Sequence, residues 1–214
     1  VARIVLAAVI ASLSCQEPTR PPTVGGLALR VVTATGGATI LDSGRILVRG
    51  PTNRDKSVSP GQTVTIDNLL PGSYTVTLEG FIGPDLGYFG QTGVTVTVGQ
   101  DTPASVTFTP FQAAPPVFPD TFWISKQVTV NIDPVAGAAS YRIEWSLDPT
   151  FASGLSTSST ATPPAQVSVA NYAVYYFRVR AVDPFGVAGV PGTATRVRVV
   201  PSGPARRLAF TGQP

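Results

Sequence analysis

The residues that could do chemistry are few, and their spacing does not favour catalysis. The 214-residue chain contains no histidine, so a Ser-His-Asp arrangement cannot form. A serine stands beside a lysine twice, at Lys56-Ser57 and Ser125-Lys126. Neighbours on a strand point to opposite faces of the sheet. These pairs therefore predict no Ser–Lys dyad.

The acidic residues also predict no site. Glycoside hydrolysis needs two carboxyl groups about 5 to 9.5 Å apart in a cleft. Glu144 is expected on the outward face of its strand and Asp148 in the following turn, a pattern typical of a solvated surface. Calcium requires several oxygen ligands close in sequence, whereas the other candidate acids are isolated: Asp42, Asp55, Asp67 and Asp85. With a single cysteine, Cys/His metal sites and an intrachain disulfide are excluded. The sequence thus predicts a non-enzymatic protein without cofactor or metal.

The composition is typical of a chain built from many short strands. There are 21 glycines and 21 prolines, and only 13% of the residues are charged, against 43% that are hydrophobic. This mix favours strands joined by turns and argues against disorder. The net charge of +3 is carried by basic residues that look scattered, which indicates no nucleic-acid surface. The length allows two ordinary sandwich domains.

The clearest strand pattern lies in the second half of the chain. Apolar and polar residues alternate there with period two, as in half-buried strands. The alternation predicts the two inner faces of an antiparallel β-sandwich. The predicted inward residues are Val128, Val130 and Ile132 on one strand, Tyr141, Ile143 and Trp145 on another, and Tyr175, Phe177, Val179 and Ala181 on a third.

Residues 120–201 resemble a fibronectin type III domain. The matching positions are Pro134, Gly137-Ala138, Tyr141 and the run Tyr175-Tyr-Phe-Arg-Val-Arg-Ala181. The resemblance implies that Tyr175 is a corner tyrosine whose hydroxyl bonds to backbone upstream, and that Tyr141 is structural. Ile132 stands where the family has its core tryptophan. Either Trp123 or Trp145 is expected to fill that space.

Residues 23–110 predict a first all-β domain. The run Leu70-Pro-Gly-Ser-Tyr-Thr-Val76 and the later run Val96-Thr-Val-Gly-Gln100 resemble the carboxypeptidase regulatory-like, transthyretin-like sandwich. Pro71-Gly72 is a turn dipeptide, and the strand after it should bury Tyr74, Val76 and Leu78. The fold class is therefore all-β, with two tandem antiparallel sandwiches.

The N-terminal segment predicts export. Residues 1–14 carry one basic residue, Arg3, before an apolar run of about ten residues, which is too short to cross a bilayer. Cys15 follows, at the start of a Pro-rich tether over 15–22. This layout resembles a bacterial lipoprotein signal, which implies lipidation of Cys15 and a membrane-anchored protein at the cell surface or periplasmic face. The alternative is a soluble export signal that contains a cysteine.

Two further joints are Pro-rich. Residues 111–119 contain Pro115-Pro116, which favours a short, stiff spacer, so few contacts are expected to cross it. Residues 202–214 form a second joint and end in Leu208-Ala-Phe-Thr-Gly-Gln-Pro214. This tail resembles the first strand of bacterial Ig-like repeats. The alternative is a frayed C-terminus.

Two segments are candidate binding loops. Phe185 lies in the turn 183–189, where fibronectin type III domains often present recognition residues. Tyr88 and Phe89 lie in segment 81–89, which has four large apolar residues in an apparent loop. Exposed, these side chains would mark a contact site. The alternative is that both segments fold back onto the ends of the sandwiches.

Together these features favour an exported, surface-anchored stalk, adhesion or protein-interaction module. The expected partners are a membrane, through the lipid, and a protein or polysaccharide ligand. The protein is expected to be a monomer that binds no nucleic acid. The alternative is a carbohydrate-binding accessory region of a secreted polysaccharide-degrading enzyme. A third reading is a periplasmic assembly or transport component.

Overall fold

The computed structural model describes residues 23–33, 41–59, 64–118, 122–123 and 125–201, with 30–33 and 122–123 described by their backbone. Cys15, its tether and the tail 202–214 lie outside the described residues. All regular structure in the described part is β-strand, as predicted. None of these residues belongs to a helix long and apolar enough to cross a membrane.

Seven strands form the first sandwich as one continuous sheet that folds over itself. The sheet order is β3-β2-β5-β6-β7-β1-β4, and β1 and β7 pair in parallel whereas the other pairs are antiparallel. The strands are β1 (Gly25–Thr33), β2 (Ser43–Arg49), β3 (Arg54–Val58), β4 (Val64–Leu69), β5 (Gly72–Ile82), β6 (Asp85–Val96) and β7 (Asp101–Pro110).

Alternation builds the core of the first sandwich. On β5, Tyr74, Val76 and Leu78 point inward as predicted, and each is at most 3% exposed. They pack against the inward residues of the other strands. These include Leu27, Leu29, Ile46, Val48, Val64, Ile66, Val106 and Phe108.

The second sandwich has a five-stranded sheet facing a two-stranded one. The larger sheet has the order β11-β10-β13-β14-β8, in which β8 and β14 are parallel, and β12 pairs with β9 in the smaller sheet. The strands are β8 (Phe122–Trp123), β9 (Gln127–Val130), β10 (Ser140–Ser146), β11 (Ser156–Thr160), β12 (Ala165–Ser168), β13 (Val174–Val182) and β14 (Thr195–Val199).

Phe177 is at the centre of the second core and has no exposed surface. Its ring lies 5.2 Å from that of Phe118 and 6.2 Å from that of Trp145. Ile132, at the family's tryptophan position, is buried at 6% exposure, while Trp145 packs only partly buried against the cluster. The side chain of Trp123 lies outside the description. Among the described side chains, Phe118, Trp145 and Tyr175 supply the aromatic packing around Phe177.

The segment 81–89 is not a loop, which corrects the sequence interpretation. β5 continues to Ile82 and β6 begins at Asp85, so only a tight turn at Gly83-Pro84 separates the two strands. The sequence analysis did not predict β3, an edge strand in which four of the five residues are exposed. Edge strands rich in charge lack the apolar alternation that identifies buried ones.

The two sandwiches make an extensive contact, which we call the seam. Its apolar part includes three large residues that belong to the core cluster of the second sandwich: Leu86, Phe89 and Phe111. Backbone bonds extend it, because the Leu86 N–H donates to Ala188 O at 3.0 Å and the Val190 N–H donates to Leu86 O at 3.1 Å. The expectation that few contacts cross residues 111–119 is therefore wrong.

Gly137 lies against the seam at a point where a side chain would not fit. Its φ of +83° favours glycine. A Cβ at this position would also lie 2.4 Å from ring atoms of Phe89. The glycine that was matched to the fibronectin type III pattern thus allows the first sandwich to approach the second.

Two tyrosines fix turns of the second sandwich through their hydroxyl groups. The Tyr175 hydroxyl accepts the backbone N–H of Asn171 at 3.0 Å, and the Tyr141 hydroxyl accepts that of Val135 at 2.9 Å. Both rings are buried at 5% exposure. A corner tyrosine is expected to bond to backbone a few residues upstream, and here the backbone group is a donor.

Removal of the Tyr175 hydroxyl tests this corner. We expect Tyr175→Phe to lower the free energy of unfolding by about 1 kcal/mol, because the Asn171 N–H loses its partner near the surface. Tyr176→Phe, on the opposite face of the same strand, should cost less than about 0.5 kcal/mol. Urea unfolding of both variants measures the difference. A larger loss for Tyr176→Phe would contradict the register of β13.

Candidate functional site

The most distinctive surface of the second sandwich is the outer face of β10, β13 and β14. Residues between the inward-pointing ones lie on this face, because side chains alternate along a strand. It presents a set of basic side chains that we call the arginine face: Arg142, Arg178, Arg180, Arg196 and Arg198. Glu144 and Tyr176 lie among them.

Strand register brings these side chains together. Arg142 is directly opposite Arg180, and Glu144 is opposite Arg178. On the other side of β13, Tyr176 is opposite Arg196. Neighbouring strands are about 4.8 Å apart. The arginines therefore form a continuous patch although they come from three separate parts of the chain.

This patch concentrates the positive charge of the protein. It holds five of the fifteen basic side chains and one of the twelve acidic ones, Glu144. Its charge of +4 exceeds the net charge of +3 for the whole chain, so the remainder carries −1. The prediction of scattered basic residues is correct along the sequence but wrong in space.

Glu144 organises the centre of the face. Its Oε2 accepts from Arg178 Nε at 2.6 Å and its Oε1 from Arg180 Nε at 3.0 Å. The glutamate side chain is 5% exposed, although the sequence placed it on a solvated surface. Both arginines are held in place by this bridge, because two donors meet one buried carboxylate.

The loop after β10 covers one side of the face. The guanidinium of Arg178 lies 4.1 Å from the centre of the Phe151 ring, a cation–π contact. Asp148 orders the loop, since its carboxylate accepts bonds from Thr150 and Ser153, and from the Ala152 N–H. These bonds, first that of the Thr150 hydroxyl, lower the pKa of Asp148 to about 2.

Arg180 ties the face to the seam. One of its terminal nitrogens lies 2.7 Å from Asp85 of the first sandwich and donates to Gly189 O at 3.0 Å. In contrast, Arg142, Arg196 and Arg198 make no ion pair within the described ranges, and the last two are exposed. Among the described residues, the positive charge without an acidic partner is therefore concentrated at the β14 side of the face, together with Arg142.

The predicted loop residues do not form a surface together. Phe89 is 4% exposed and packs on Phe111 at 5.4 Å, so it is not available for external contact. Tyr88 is half-buried on β6, with its ring 5.3 Å from Phe108. Phe185 is 42% exposed, and the guanidinium of Arg49 lies 6.0 Å from its ring centre.

Sequence reasoning missed the arginine face, although a signal was present. The motif Arg-Val-Arg occurs at residues 178–180 and again at 196–198. Each copy places both arginines on one side of a strand. What the sequence alone did not give was the pairing of the two strands, which brings the copies together. No three Asp, Glu, Cys or His side chains in the described part of the chain could hold a metal ion.

Comparison with known proteins gives only weak similarities. No protein-family model and no curated protein sequence matches the chain. Among solved structures, a DUF3823 family protein from Parabacteroides merdae is 15% identical with a TM-score of 0.30, and covers 83% of this chain and 100% of its own. Domains FN1–FN3 of chicken CNTN1 are 13% identical with a TM-score of 0.34, over 84% of this chain and 65% of theirs.

A candidate carbohydrate-binding protein from Bacteroides uniformis is similar to the same degree. It is 16% identical with a TM-score of 0.31, and the match covers 83% of this chain and 99% of that one. Similarities of this strength do not assign a ligand or an activity. Functional inference therefore depends on the surface itself.

The Glu144 bridge makes a direct prediction for stability. We expect Glu144→Gln to lower the free energy of unfolding by about 2 to 3 kcal/mol, because two poorly exposed arginines lose their counter-charge. Asp55→Asn is the control, since it breaks an exposed pair with Arg49 and should cost less than about 1 kcal/mol. Denaturant unfolding of both variants measures the contrast. Equal losses would show that Glu144 is as solvated as Asp55.

Proposed function

We propose that this protein is an exported, non-enzymatic interaction module that is held on a membrane by lipid on Cys15. The two sandwiches act as a spacer, and the arginine face is the contact surface for adhesion. The resemblances to a lipoprotein signal, to a carboxypeptidase regulatory-like sandwich and to a fibronectin type III domain support this assignment, and none of them assigns a ligand.

The observation that carries the proposal is the uncompensated charge of the β14 side of the face. Arg196 and Arg198 are exposed and have no acidic partner among the residues described. The Glu144 bridge holds Arg178 two residues along β13 from Tyr176, which is opposite Arg196. Fixed cationic groups of this kind attract an anionic partner by charge complementarity. Guanidinium groups also bind carboxylate or sulfate oxygens in pairs.

An acidic polysaccharide is the partner class that this surface fits best. Single-stranded nucleic acid is bound through several stacked bases, whereas Tyr176 is the one aromatic ring among the outward residues of β13 and β14. A neutral sugar offers no charge to the arginines. This partner also agrees with the carbohydrate-binding alternative for the chain, without requiring a catalytic domain.

A binding assay with matched charge variants tests the contact surface. The protein is applied to immobilised polygalacturonate and to a neutral dextran. We expect Arg196→Gln with Arg198→Gln to weaken polygalacturonate binding about tenfold, as loss of two charge contacts should. The control, Arg54→Gln with Lys56→Gln, removes the same charge from β3. Binding should also fall as salt rises.

Two outcomes would contradict the proposed contact surface. One is equal weakening by the control, which would indicate attraction by net charge alone. The other is equal binding to dextran, which would exclude a role for charge. Tighter binding to single-stranded DNA or to an acidic protein, lost in the same double variant, would keep the surface and replace its partner.

The anchor is tested separately. Lipidation of Cys15 would hold the protein on a membrane, since each buried CH₂ contributes about 0.8 kcal/mol. We expect Cys15→Ala to move the protein from the membrane fraction to the soluble fraction and to abolish incorporation of a labelled fatty acid. A wild-type protein that is soluble and unlabelled in a bacterial host would exclude the anchor, and would leave the binding result unaffected.

A further inference from the structure

Two buried carboxyl groups meet at the seam, one from each sandwich. Glu79 on β5 has no exposed surface, and Asp183, which follows β13, is 2% exposed. Each has one oxygen without a hydrogen-bond partner, namely Glu79 Oε1 and Asp183 Oδ2. Among the described residues, these two oxygens are the buried side-chain N or O atoms that have no hydrogen-bond partner. A buried polar atom without a hydrogen-bond partner destabilises the fold, so the lack of a partner at these two oxygens requires an explanation.

The second oxygen of each carboxyl is fully engaged. Glu79 Oε2 accepts from Arg45 Nε at 2.7 Å and lies 2.6 Å from a terminal nitrogen of the same guanidinium. Asp183 Oδ1 accepts the backbone N–H groups of Phe185 at 3.0 Å and Val187 at 2.7 Å. All these donors bind Glu79 Oε2 and Asp183 Oδ1, and they leave Glu79 Oε1 and Asp183 Oδ2 without a partner.

Glu79 lies on the face of β5 that meets the second sandwich, because its cross-strand neighbour Phe89 belongs to the core cluster of that sandwich. A hydrogen bond with Asp183 contributes to the raised pKa of Glu79. Two ionised carboxylates cannot form this bond, because both only accept. Their like charges also repel in a buried site. One proton removes both difficulties, since the protonated carboxyl donates its O–H to the ionised one. A single proton thus satisfies both unpaired oxygens.

We propose that Glu79 and Asp183 share one proton, and that this proton is a pH-sensitive lock between the two sandwiches. Beside Glu79, the flanking strands present Arg45 on β2 and Phe89 on β6. Arg45 is therefore the positive charge that faces the pair. With the shared proton, the cluster of Arg45, Glu79 and Asp183 is neutral. Without it, the cluster carries one uncompensated negative charge at a buried contact.

The electrostatics of Glu79 support the lock. Burial raises the pKa of Glu79 to about 7, and the bond with Asp183 adds to the rise while Arg45 opposes it. Because the pKa of Glu79 is raised above its ordinary value of 4.5, the protonated form favours the closed seam. This contribution is complete below pH 4.5 and is lost as the pH rises through about 7.

A surface cleft lies on the other side of Arg45, the partner of Glu79. The cleft has a volume of about 460 Å³ and is lined by Ser43, Arg45, Ser57 and Phe81, among others. The Arg45 side chain is 38% exposed there, whereas the Glu79 side chain behind it is not exposed at all. The Arg45 side chain therefore lies between the cleft and Glu79.

The turn held by Asp183 connects the lock to the rest of the seam. Asp183 Oδ1 orders residues 185–187, and the next residues, Ala188 and Val190, make the backbone bonds to Leu86. Repulsion between the carboxylates pushes this turn away from β5. Loss of the proton is therefore expected to weaken the Leu86 bonds first.

Amide hydrogen exchange measures this effect at the seam. In the full chain, protection of the Leu86 and Val190 N–H groups, corrected for intrinsic exchange, should fall at least about tenfold from pH 5 to pH 8. Glu79→Gln should abolish this pH dependence, because the glutamine amide donates to Asp183 at every pH. Asp183→Asn supplies the same donor from the other side if the first variant does not fold.

Asp85→Asn is the matched control. It removes the ion pair with Arg180 at the same seam. It should therefore lower amide protection at every pH and leave the change in protection between pH 5 and pH 8 as in the wild type. The same pH dependence in wild type and in Glu79→Gln would overturn the proposal. So would an NMR titration of the Glu79 carboxyl carbon with a midpoint near 4.5, the unshifted value.

Discussion

Phe111 lies in the linker between the sandwiches, yet it is as buried as any residue of either core. Its ring packs on Phe89, and both belong to the core cluster of the second sandwich. Phe-to-Ala changes at such sites typically cost about 3 to 5 kcal/mol. Packing of this strength fixes where β6 runs relative to β13. The bonds of Leu86, the Arg180–Asp85 pair and the meeting of Glu79 with Asp183 all depend on that placement.

The arginine face follows from a different constraint. A strand of a sandwich must alternate, so inward positions such as Val179 and Val197 are restricted to apolar residues. Their outward neighbours carry no such restriction, and here they are arginines. Five like charges on one sheet would repel each other. Glu144 offsets part of this repulsion by bridging Arg178 and Arg180, and Asp85 offsets another part.

The inner faces could be predicted from the sequence, because burial imposes period two on each strand separately. Tyr74 and Phe177 are buried where the alternation placed them. The surfaces between strands could not be predicted in this way. Arg178 and Arg196 are eighteen residues apart in number, and Glu79 and Asp183 are more than a hundred apart. Their proximity depends on strand pairing and on the seam, and neither leaves a local pattern in the sequence.

The error over segment 81–89 has the same origin. Its large apolar residues beside Gly83-Pro84 predict a loop, either exposed as a contact site or packed against the end of a sandwich. At the start of β6, Leu86 and Phe89 are buried by the second sandwich instead of by their own. A register shift between Gly80 and Phe81 also interrupts the alternation where β5 pairs with β6. When residues of a strand pack into a neighbouring domain, the apolar pattern of that strand does not match the period expected from burial in its own core alone.

Arg180 is the residue at which the two functional proposals meet. It belongs to the arginine face through Glu144 and to the seam through Asp85. If the seam opens as proposed, Arg180 loses the counter-charge of Asp85, and its guanidinium becomes available to an anion. A polyanion on the face would in turn compete with Asp85 for the same guanidinium. By linkage, any effect of seam opening on polyanion affinity equals the effect of the polyanion on seam opening. The shared Arg180 would therefore couple the proposed lock to the proposed contact surface.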